Sequence, residues 1–396
     1  MSNNEYIDKG NEYVMNTYGR FPLSLVKGKG TYVWDADGKQ YLDFVSGIAV
    51  CSLGHCHEEL VQVIQEQSNQ LWHVSNLYWH KPQVELAKKL VEASGLGKAF
   101  FCNSGAEAIE AAIKLARKYF YRNNEAGRYQ IITFNQSFHG RTMGALAATG
   151  QAKYHEGFNP LIDGFLYADY NDLVSVEKVL NEHTGAILVE PIQGEGGIKP
   201  AELGFLRGLR EICDREGILL IFDEVQSGMG RTGKLFAYEH YGIKPDILTL
   251  AKALGGGFPI GAMLANDKVA QGFKPGDHAS TFGGNLLASS VANKVLDIIN
   301  QADFLEGVSK AGNDLAEAIE NIGDSRVVEI RGRGLMIGVE FNHEVKELIS
   351  LCMEKGLLLV GAGPNVVRFV PPLNINEIEI NQGVSVFREA LREWNL

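Results

Sequence analysis

Two residues with reactive side chains directly follow short apolar stretches, a position from which side chains often reach a ligand. Asp223 ends the stretch ILLIFD, and Lys252 follows ILTLA. A carboxylate in apolar surroundings needs a partner, because an unpaired buried charge is unfavourable. Desolvation lowers the pKa of a lysine amine and makes it nucleophilic enough to attack an aldehyde. The alternatives are an aspartate that caps a loop and a lysine that extends into solvent.

Three further segments could hold a flat, phosphorylated molecule beside this pair. Ser104, Gly105 and Ala106 precede a helical stretch, so the free N–H groups of the helix start could bind phosphate. Phe138 could stack on a ring, and Arg141 offers a planar fork to a carboxylate. Each segment also has an ordinary interpretation: a serine N-cap, a core phenylalanine and a surface ion pair.

Together these residues supply what pyridoxal 5′-phosphate (PLP) requires: a phosphate site, an acid for the ring nitrogen, a stacking ring and an amine for the aldehyde. The acid would keep the ring nitrogen protonated, and the lysine would act as general base and acid. A nucleotide-binding enzyme is the rival hypothesis. However, no GxGxxG follows the first strand, and no GxxxxGK[ST] is present.

The elements that must position these residues form an alternating pattern from residue 98 onward. The segments 98–103, 130–135, 186–192, 218–225 and 247–251 are short and apolar, whereas 106–120, 205–217 and 285–301 have helical periodicity. This alternation predicts an α/β fold with a mainly parallel sheet flanked by helices. Ligands bind beyond the carboxyl ends of strands in such sheets, where the candidate residues lie.

The rest of the chain predicts a hairpin at 31–44, an irregular arm over the first thirty residues and a smaller α+β part at the C-terminus. A length of 396 residues is consistent with about two or three domains. We predict an N-terminal arm and hairpin (1–60) that pack with the small domain, a large PLP-binding domain (61–305) and a small C-terminal α+β domain (306–396).

Composition excludes several classes of protein. The net charge of −11 argues against nucleic-acid binding. We expect no membrane association, because no signal region is apparent and no apolar run approaches the roughly 20 residues that span a bilayer. The five cysteines include no CxxC pair, which favours reduced thiols in the cytoplasm. The segment CSLGHCH (51–57) is too compact for a structural zinc site, so we expect no metal.

Longer segments around the candidate residues resemble the class III (ω-amino acid) aminotransferases. The matching segments are NSGAEAIEAAIKLAR (103–117), FHGRT (138–142), VEPIQGEGG (189–197), FDEVQSGMGRTGK (222–234), LAKALGGGFPIGA (250–262) and STFGGN (280–285). The similarity runs over nearly the whole chain and is closest to the acetylornithine aminotransferases. It implies a fold-type-I PLP transferase that moves the terminal amino group of N2-acetyl-L-ornithine to 2-oxoglutarate in arginine biosynthesis. The products would be N-acetylglutamate 5-semialdehyde and L-glutamate.

The resemblance also implies a set of cofactor contacts. Lys252 would bind the cofactor covalently and Asp223 would pair with its ring nitrogen. The other implied contacts are Gly105 and Ala106 at the phosphate, Phe138 stacked on the ring, Val225 behind it, Gln226 at the ring hydroxyl, Glu224 beside these residues, and Thr281 at the phosphate of the partner subunit. Many family members have threonine in place of Ala106, so we expect weaker cofactor retention in this chain.

For the substrates, the resemblance implies that Arg141 holds the α-carboxylate of the acetylated donor, with Ser280 nearby. Arg368 would hold the α-carboxylate of glutamate, and Glu195 would pair with Arg368 whenever the ω-amino donor is bound. The active sites would be shared across a homodimer or a dimer of dimers. Ornithine, succinylornithine, 4-aminobutyrate and succinyldiaminopimelate aminotransferases remain alternatives, as does an inactive binding homologue.

Overall fold

A seven-stranded mixed sheet forms the centre of the protein, whose computed structural model describes residues 1–394. The strands in chain order are β1 Leu25–Lys29, β2 Tyr32–Asp35, β3 Gln40–Asp43, β4 Lys98–Cys102, β5 Gln130–Phe134, β6 Phe165–Ala168, β7 Thr184–Val189, β8 Ile192–Gln193, β9 Lys199–Pro200, β10 Leu219–Asp223, β11 Ile247–Leu250, β12 Gly261–Ala265, β13 Val327–Arg333, β14 Met336–Phe341, β15 Leu357–Leu358, β16 Val360–Gly361 and β17 Val366–Phe369.

The helices cover both faces of this sheet and connect the smaller sheets. In chain order they are α1 Asn3–Tyr13, α2 Ser46–Ala49, α3 Glu58–Ser68, α4 Lys81–Ser94, α5 Gly105–Arg122, α6 Met143–Ala148, α7 Ala152–His155, α8 Leu173–Val179, α9 Leu203–Glu216, α10 Asp267–Ala270, α11 Leu286–Ile299, α12 Ala302–Glu320, α13 Lys346–Glu354 and α14 Glu377–Glu393, with 3₁₀ turns at Ala237–His240 and Lys252–Gly255.

The large sheet has the strand order β4-β12-β11-β10-β7-β5-β6. The pairs from β11 to β6 are all parallel, and only β12 runs antiparallel to its neighbours β11 and β4. Every residue of β7, β10 and β11 is buried. Continuous apolar strands of this kind are stable only when helices cover both faces of the sheet, which confirms the predicted α/β architecture. The sequence pattern missed the antiparallel strand β12.

Two four-stranded sheets accompany the large one, and β8 and β9 form a separate two-stranded sheet. The predicted hairpin is present as β2 and β3, and β3 pairs in parallel with β15 from the C-terminal part of the chain. The second sheet has the order β13-β14-β17-β16 and is antiparallel. The pairing of β3 with β15 joins segments more than three hundred residues apart in sequence. The exact domain limits at 60/61 and 305/306 stay predictions.

The prediction of an irregular arm over the first thirty residues is wrong, because this segment contains helix α1 and strand β1. A capping box starts α1: Ser2 Oγ accepts from Glu5 N–H, and the Glu5 carboxylate accepts from Ser2 N–H. The S-x-x-E spacing that predicts this cap is visible in the sequence.

None of the helices between residues 1 and 394 has an apolar stretch long enough to cross a bilayer.

Candidate active site

A cavity of about 430 Å³ opens at the carboxyl ends of the parallel strands. It lies at the edge of the sheet where the sequence analysis expected a ligand. Nine of the candidate residues line it: Gly105, Ala106, Phe138, Arg141, Glu195, Asp223, Val225, Gln226 and Lys252. The acid and the amine that carried the sequence argument therefore face the same cavity.

Asp223 is buried at the end of β10, and His139 is its closest polar partner. The His139 Nδ1 atom lies 2.7 Å from Asp223 Oδ2, and the backbone N–H of Val225 donates to Oδ1 at 3.0 Å. His139 Nε2 in turn lies 3.2 Å from the hydroxyl of Thr133 on β5. These contacts fix the position of the carboxylate at the edge of the cavity.

Lys252 begins a 3₁₀ turn with φ of +44°, in the left-handed region that residues with a β-carbon rarely adopt. Its side chain borders the cavity and is otherwise surrounded by protein. Burial lowers the pKa of the amine to about 8, although the carboxylates of Glu195 and Asp223 oppose the shift. A sizeable fraction of the amine is therefore uncharged near neutral pH, as a nucleophile for an aldehyde requires. Backbone strain at such a position is typical of functional residues.

The first turn of α5 forms the other end of the cavity. Ser104 is the N-cap, and its hydroxyl accepts from Glu107 N–H at 3.2 Å. The N–H groups at the start of this 18-residue helix can bind an anion. A β-carbon on Gly105 would lie 2.6 Å from Val225 Cγ1, so the helix start and Val225 are packed as closely as a glycine allows.

Gly105→Ala should weaken cofactor binding by about tenfold, because the added methyl group must displace either Val225 or the helix start. The dissociation constant is measured by titrating PLP into the cofactor-free protein and following its absorbance. Val225→Ala removes the two methyl groups that would collide. The effect of Gly105→Ala should therefore be much smaller when measured in the Val225→Ala background. Equal effects in both backgrounds would show that this contact is irrelevant.

Glu195 lines the cavity and forms an ion pair with the buried Arg368, whose Nη1 lies 2.5 Å from Glu195 Oε1. Gln226 contacts both partners: its Oε1 accepts from Arg368 at 3.1 Å, and its Nε2 lies 3.5 Å from Glu195 Oε1. Burial raises the pKa of Glu195, but the positive charge of Arg368 outweighs it, so the pKa ends below its usual value. The charge on Arg368 is thus neutralised by Glu195.

Glu190 holds two walls of the cavity together. Its carboxylate accepts from Phe138 N–H at 2.9 Å and from Gly194 N–H, next to Glu195, at 3.0 Å. Burial raises the pKa of Glu190 to about 7, with His139 opposing and Asp223 adding to the shift. Neither Glu190 nor His139 was among the residues predicted to contact the cofactor or a substrate. Both adjoin assigned residues at strand ends, so the same strand-end reasoning could have found them.

Four candidate residues lie outside the cavity of their own chain. Glu224 accepts from the N–H groups of Ala237 and Tyr238 at 2.7 Å, and burial raises its pKa to about 8. Arg368 lies behind Glu195. Ser280 Oγ accepts from Asn103 Nδ2 at 3.1 Å, whereas Thr281 is exposed on the surface.

The segment CSLGHCH places His55 Nε2 2.7 Å from Asp43 Oδ2. Residues 1–394 contain no cluster of three or more acidic, histidine or cysteine side chains suited to a metal.

Known proteins match this chain over nearly its whole length. The sequence profile of the class-III aminotransferases matches residues 13–391. The acetylornithine aminotransferase of Caldanaerobacter subterraneus subsp. tengcongensis is 53% identical over 385 residues, covering 96% of this chain and 98% of that protein. The solved N-acetylornithine aminotransferase of Stenotrophomonas maltophilia K279a has a TM-score of 0.85 and 40% identity, covering 98% and 99% of the two chains.

An ornithine aminotransferase from Toxoplasma gondii, described with partial occupancy of PLP at its active site, has a TM-score of 0.95 and 32% identity. It covers 99% of this chain and 94% of its own. The fold and the cavity define a PLP-dependent transaminase, and the chain belongs to the class-III aminotransferases. The residues present fit PLP, since an amine of lowered pKa, a buried acid and a helix start with no room for a β-carbon line one cavity.

Proposed function

We propose that this chain transfers the terminal amino group of N2-acetylornithine to 2-oxoglutarate, a step of arginine biosynthesis. The observation that carries the proposal is 53% identity to an acetylornithine aminotransferase over 96% of the chain. The cavity agrees with the chemistry of both substrates. Arg141 lines it and can face a substrate carboxylate, whereas Arg368 lies behind Glu195 and is neutralised by that residue.

PLP supplies an aldehyde that takes up the amino group and a ring that withdraws electrons from the adjacent carbon. We propose that Lys252 binds it covalently, that Asp223 pairs with its ring nitrogen and that Phe138 and Val225 contact the ring faces. Gly105 and Ala106 would bind the phosphate through the start of α5. His139 orients Asp223 from behind. Lys252 Nζ, whose pKa is about 8, would take and return the substrate proton.

Glu195 and Arg368 would let one cavity accept two differently charged donors. The acetylated donor carries one carboxylate, which Arg141 can bind through its planar fork. Glutamate carries two, so the second carboxylate needs Arg368 and must displace Glu195. Gln226, which already accepts from Arg368 at 3.1 Å, would stay bonded to the guanidinium during this exchange.

Ornithine is the main alternative donor, because the Toxoplasma gondii ornithine aminotransferase has the higher TM-score of 0.95. Its identity to this chain is only 32%. Individual side chains, and not the backbone path that a TM-score compares, distinguish one substrate from another. The acetyl group differs from a free amine in charge as well as size. A pocket suited to N-acetylornithine should therefore reject ornithine more strongly than it rejects a substrate that differs by one methylene.

The proposal is tested by single half-reactions of the PLP-loaded enzyme. N-acetylornithine, ornithine, 4-aminobutyrate and succinylornithine are each mixed with the enzyme in the absence of a keto acid. The loss of the visible absorbance of the bound cofactor is then followed by stopped flow, with glutamate as the positive control. N-acetylornithine should react with the largest kcat/KM. A larger value for ornithine would overturn the assignment of the donor, while the enzyme class would stand.

We further propose that the enzyme is a homodimer in which Thr281 completes the phosphate site of the partner subunit. The segment 71–79 lies against the loop that carries Thr281, since Asn76 Nδ2 donates to the carbonyl of Ser280. Its exposed apolar side chains and that of Phe282 support this assembly: Leu71, Trp72, Leu77, Tyr78, Trp79 and Phe282. Trp79 is 90% exposed and Leu77 is 82% exposed in the single chain. Large apolar patches of this kind usually become buried in an interface.

The five free cysteines support a reducing compartment, so we propose that the protein lies in the cytoplasm.

Co-expression of two inactive variants should restore activity if Thr281 acts on the partner. One subunit carries Lys252→Ala, and the other carries Thr281→Trp, whose ring would block the phosphate site it faces. In the mixed dimer, one site combines both defects, while the other contains Lys252 and Thr281 in their native forms. The mixture should regain activity in proportion to the fraction of mixed dimers, up to about half of the native specific activity for a pure mixed dimer. No gain would place Thr281 in its own subunit's site, and full activity of Thr281→Trp alone would place it outside both sites.

A further inference from the structure

The guanidinium of Arg141 rests on aromatic rings at the rim of the cavity. Its Cζ atom lies 4.0 Å from the ring centroid of Tyr154 and 5.6 Å from that of Phe138. The two rings meet edge to face, with centroids 5.7 Å apart. Among residues 1–394, no carboxylate or carbonyl accepts a hydrogen bond from the Arg141 guanidinium. Its N–H groups are thus free, while its position is fixed by the two rings alone.

Tyr154 is itself held firmly, although it lies in the four-residue helix α7. On one side, the buried Gln151 donates through Nε2 to the carbonyl of Ser137 at 3.1 Å. On the other side, His155 Nε2 lies 2.7 Å from the carbonyl of Thr149 and so donates to it. These bonds anchor the chain on both sides of Tyr154, and the edge-to-face contact of the two rings places Tyr154 beside Phe138.

A planar cation stacked on a ring face gains attraction from the ring and still presents its N–H edge outward. An arginine without such a support would sample many rotamers in solvent, and a carboxylate would have to restrict them on binding. Lys153 Nζ also lies 4.9 Å from the Tyr154 ring centroid, but Lys153 is exposed and does not line the cavity. It therefore serves as a control and not as a second ligand.

We propose that Tyr154 is a positioning residue that sets the affinity for the carboxylate of the amino donor by holding Arg141 in place. This inference rests on the proposed role of Arg141 in donor binding. It predicts an effect on KM and not on kcat, because the ring contacts neither the reacting atoms nor Lys252. The phenol hydroxyl has no part in it, so phenylalanine should replace tyrosine.

The test compares Tyr154→Leu, which removes the ring, with Tyr154→Phe, which keeps it. Tyr154→Leu should raise KM for N-acetylornithine by about tenfold, within the range of a cation–π contact, with kcat changed less than about twofold. Tyr154→Phe and the surface control Lys153→Met should keep the native KM. An unchanged KM in Tyr154→Leu, or an equal rise in Tyr154→Phe, would overturn the proposal.

A double-mutant cycle separates support of Arg141 from a general structural effect. In an Arg141→Met background, Tyr154→Leu should produce no further rise in KM for the donor, because nothing remains to be positioned. A full tenfold rise in that background, or a matching loss of bound PLP, would show that the ring acts in another way. If the native enzyme instead prefers another ω-amino acid, the proposal that N-acetylornithine is the amino donor is wrong. The same cycle, run with the preferred donor, still decides the role of Tyr154.

Discussion

Lys252→Ala should slow amino transfer by at least about 10⁴-fold, the upper range for a group that moves protons in the rate-limiting step. Lys252 is the only lysine lining the cavity, and burial lowers its pKa to about 8. On the role that we propose for Lys252, the variant would lose both the covalent attachment of PLP and the base. The rate is measured by single-turnover absorbance changes with N-acetylornithine, at PLP concentrations that saturate the variant.

Two controls make this result specific to the amine. Lys234→Ala removes an exposed lysine from the same part of the chain and should leave the rate unchanged. Methylamine or ethylamine added to Lys252→Ala should restore part of the rate, since a free amine can take the same proton. Residual activity above about one per cent without added amine would contradict the assignment of Lys252 as the base.

Asp223→Asn should lower kcat by about 10²- to 10³-fold, the range found when one fixed electrostatic contact to the reacting group is lost. The substitution keeps the shape of the side chain but removes the negative charge that we propose stabilises a protonated ring nitrogen. It also places an amide opposite the nitrogen of His139, 2.7 Å from the original oxygen. kcat and the dissociation constant of PLP are measured together, because the loss should appear mainly in kcat.

Thr249→Val provides the matched control for Asp223. The Thr249 hydroxyl lies 3.4 Å from Asp223 Oδ1, so valine removes a weak neutral contact and leaves the charge in place. Its effect on kcat should stay below about tenfold, as expected for one neutral hydrogen bond. If Asp223→Asn had no larger effect than Thr249→Val, the carboxylate would not be the partner of the ring nitrogen.

The central sheet could be predicted because its strands are recognisable from local pattern. β5, β7, β10 and β11 are short, apolar and separated by amphipathic helices, so their type follows from periodicity and length. β12 was missed, since GAMLA follows the glycine-rich loop without a turn signal of its own. Helix α1 was missed despite its capping box. Most of its side chains are exposed, so no apolar face marks it.

Predicting the cavity residues relied on one topological rule and on the resemblance to the class III aminotransferases. Residues that follow parallel strands meet at one edge of the sheet, which brought Phe138, Asp223 and Lys252 into a single hypothesis before their distances were known; the role of Glu195 came from the resemblance. The rule predicts the edge of the sheet at which these residues lie, but not the contacts between their side chains. It therefore did not reveal that His139 supports Asp223, or that Glu190 joins the loops of Phe138 and Glu195.

The sequence by itself determined the α/β class and the chemical character of the site, because strand type, helix caps and strand-end side chains depend on near neighbours in the chain. Only the tertiary structure decided which side chains meet. His139 and Asp223 are 84 positions apart, and Glu195 and Arg368 are 173 apart. Arg141 and Tyr154 are closer in sequence, yet their stacking depends on how α7 is anchored to the loop after β5. Such contacts depend on packing, and no local pattern of residues specifies them.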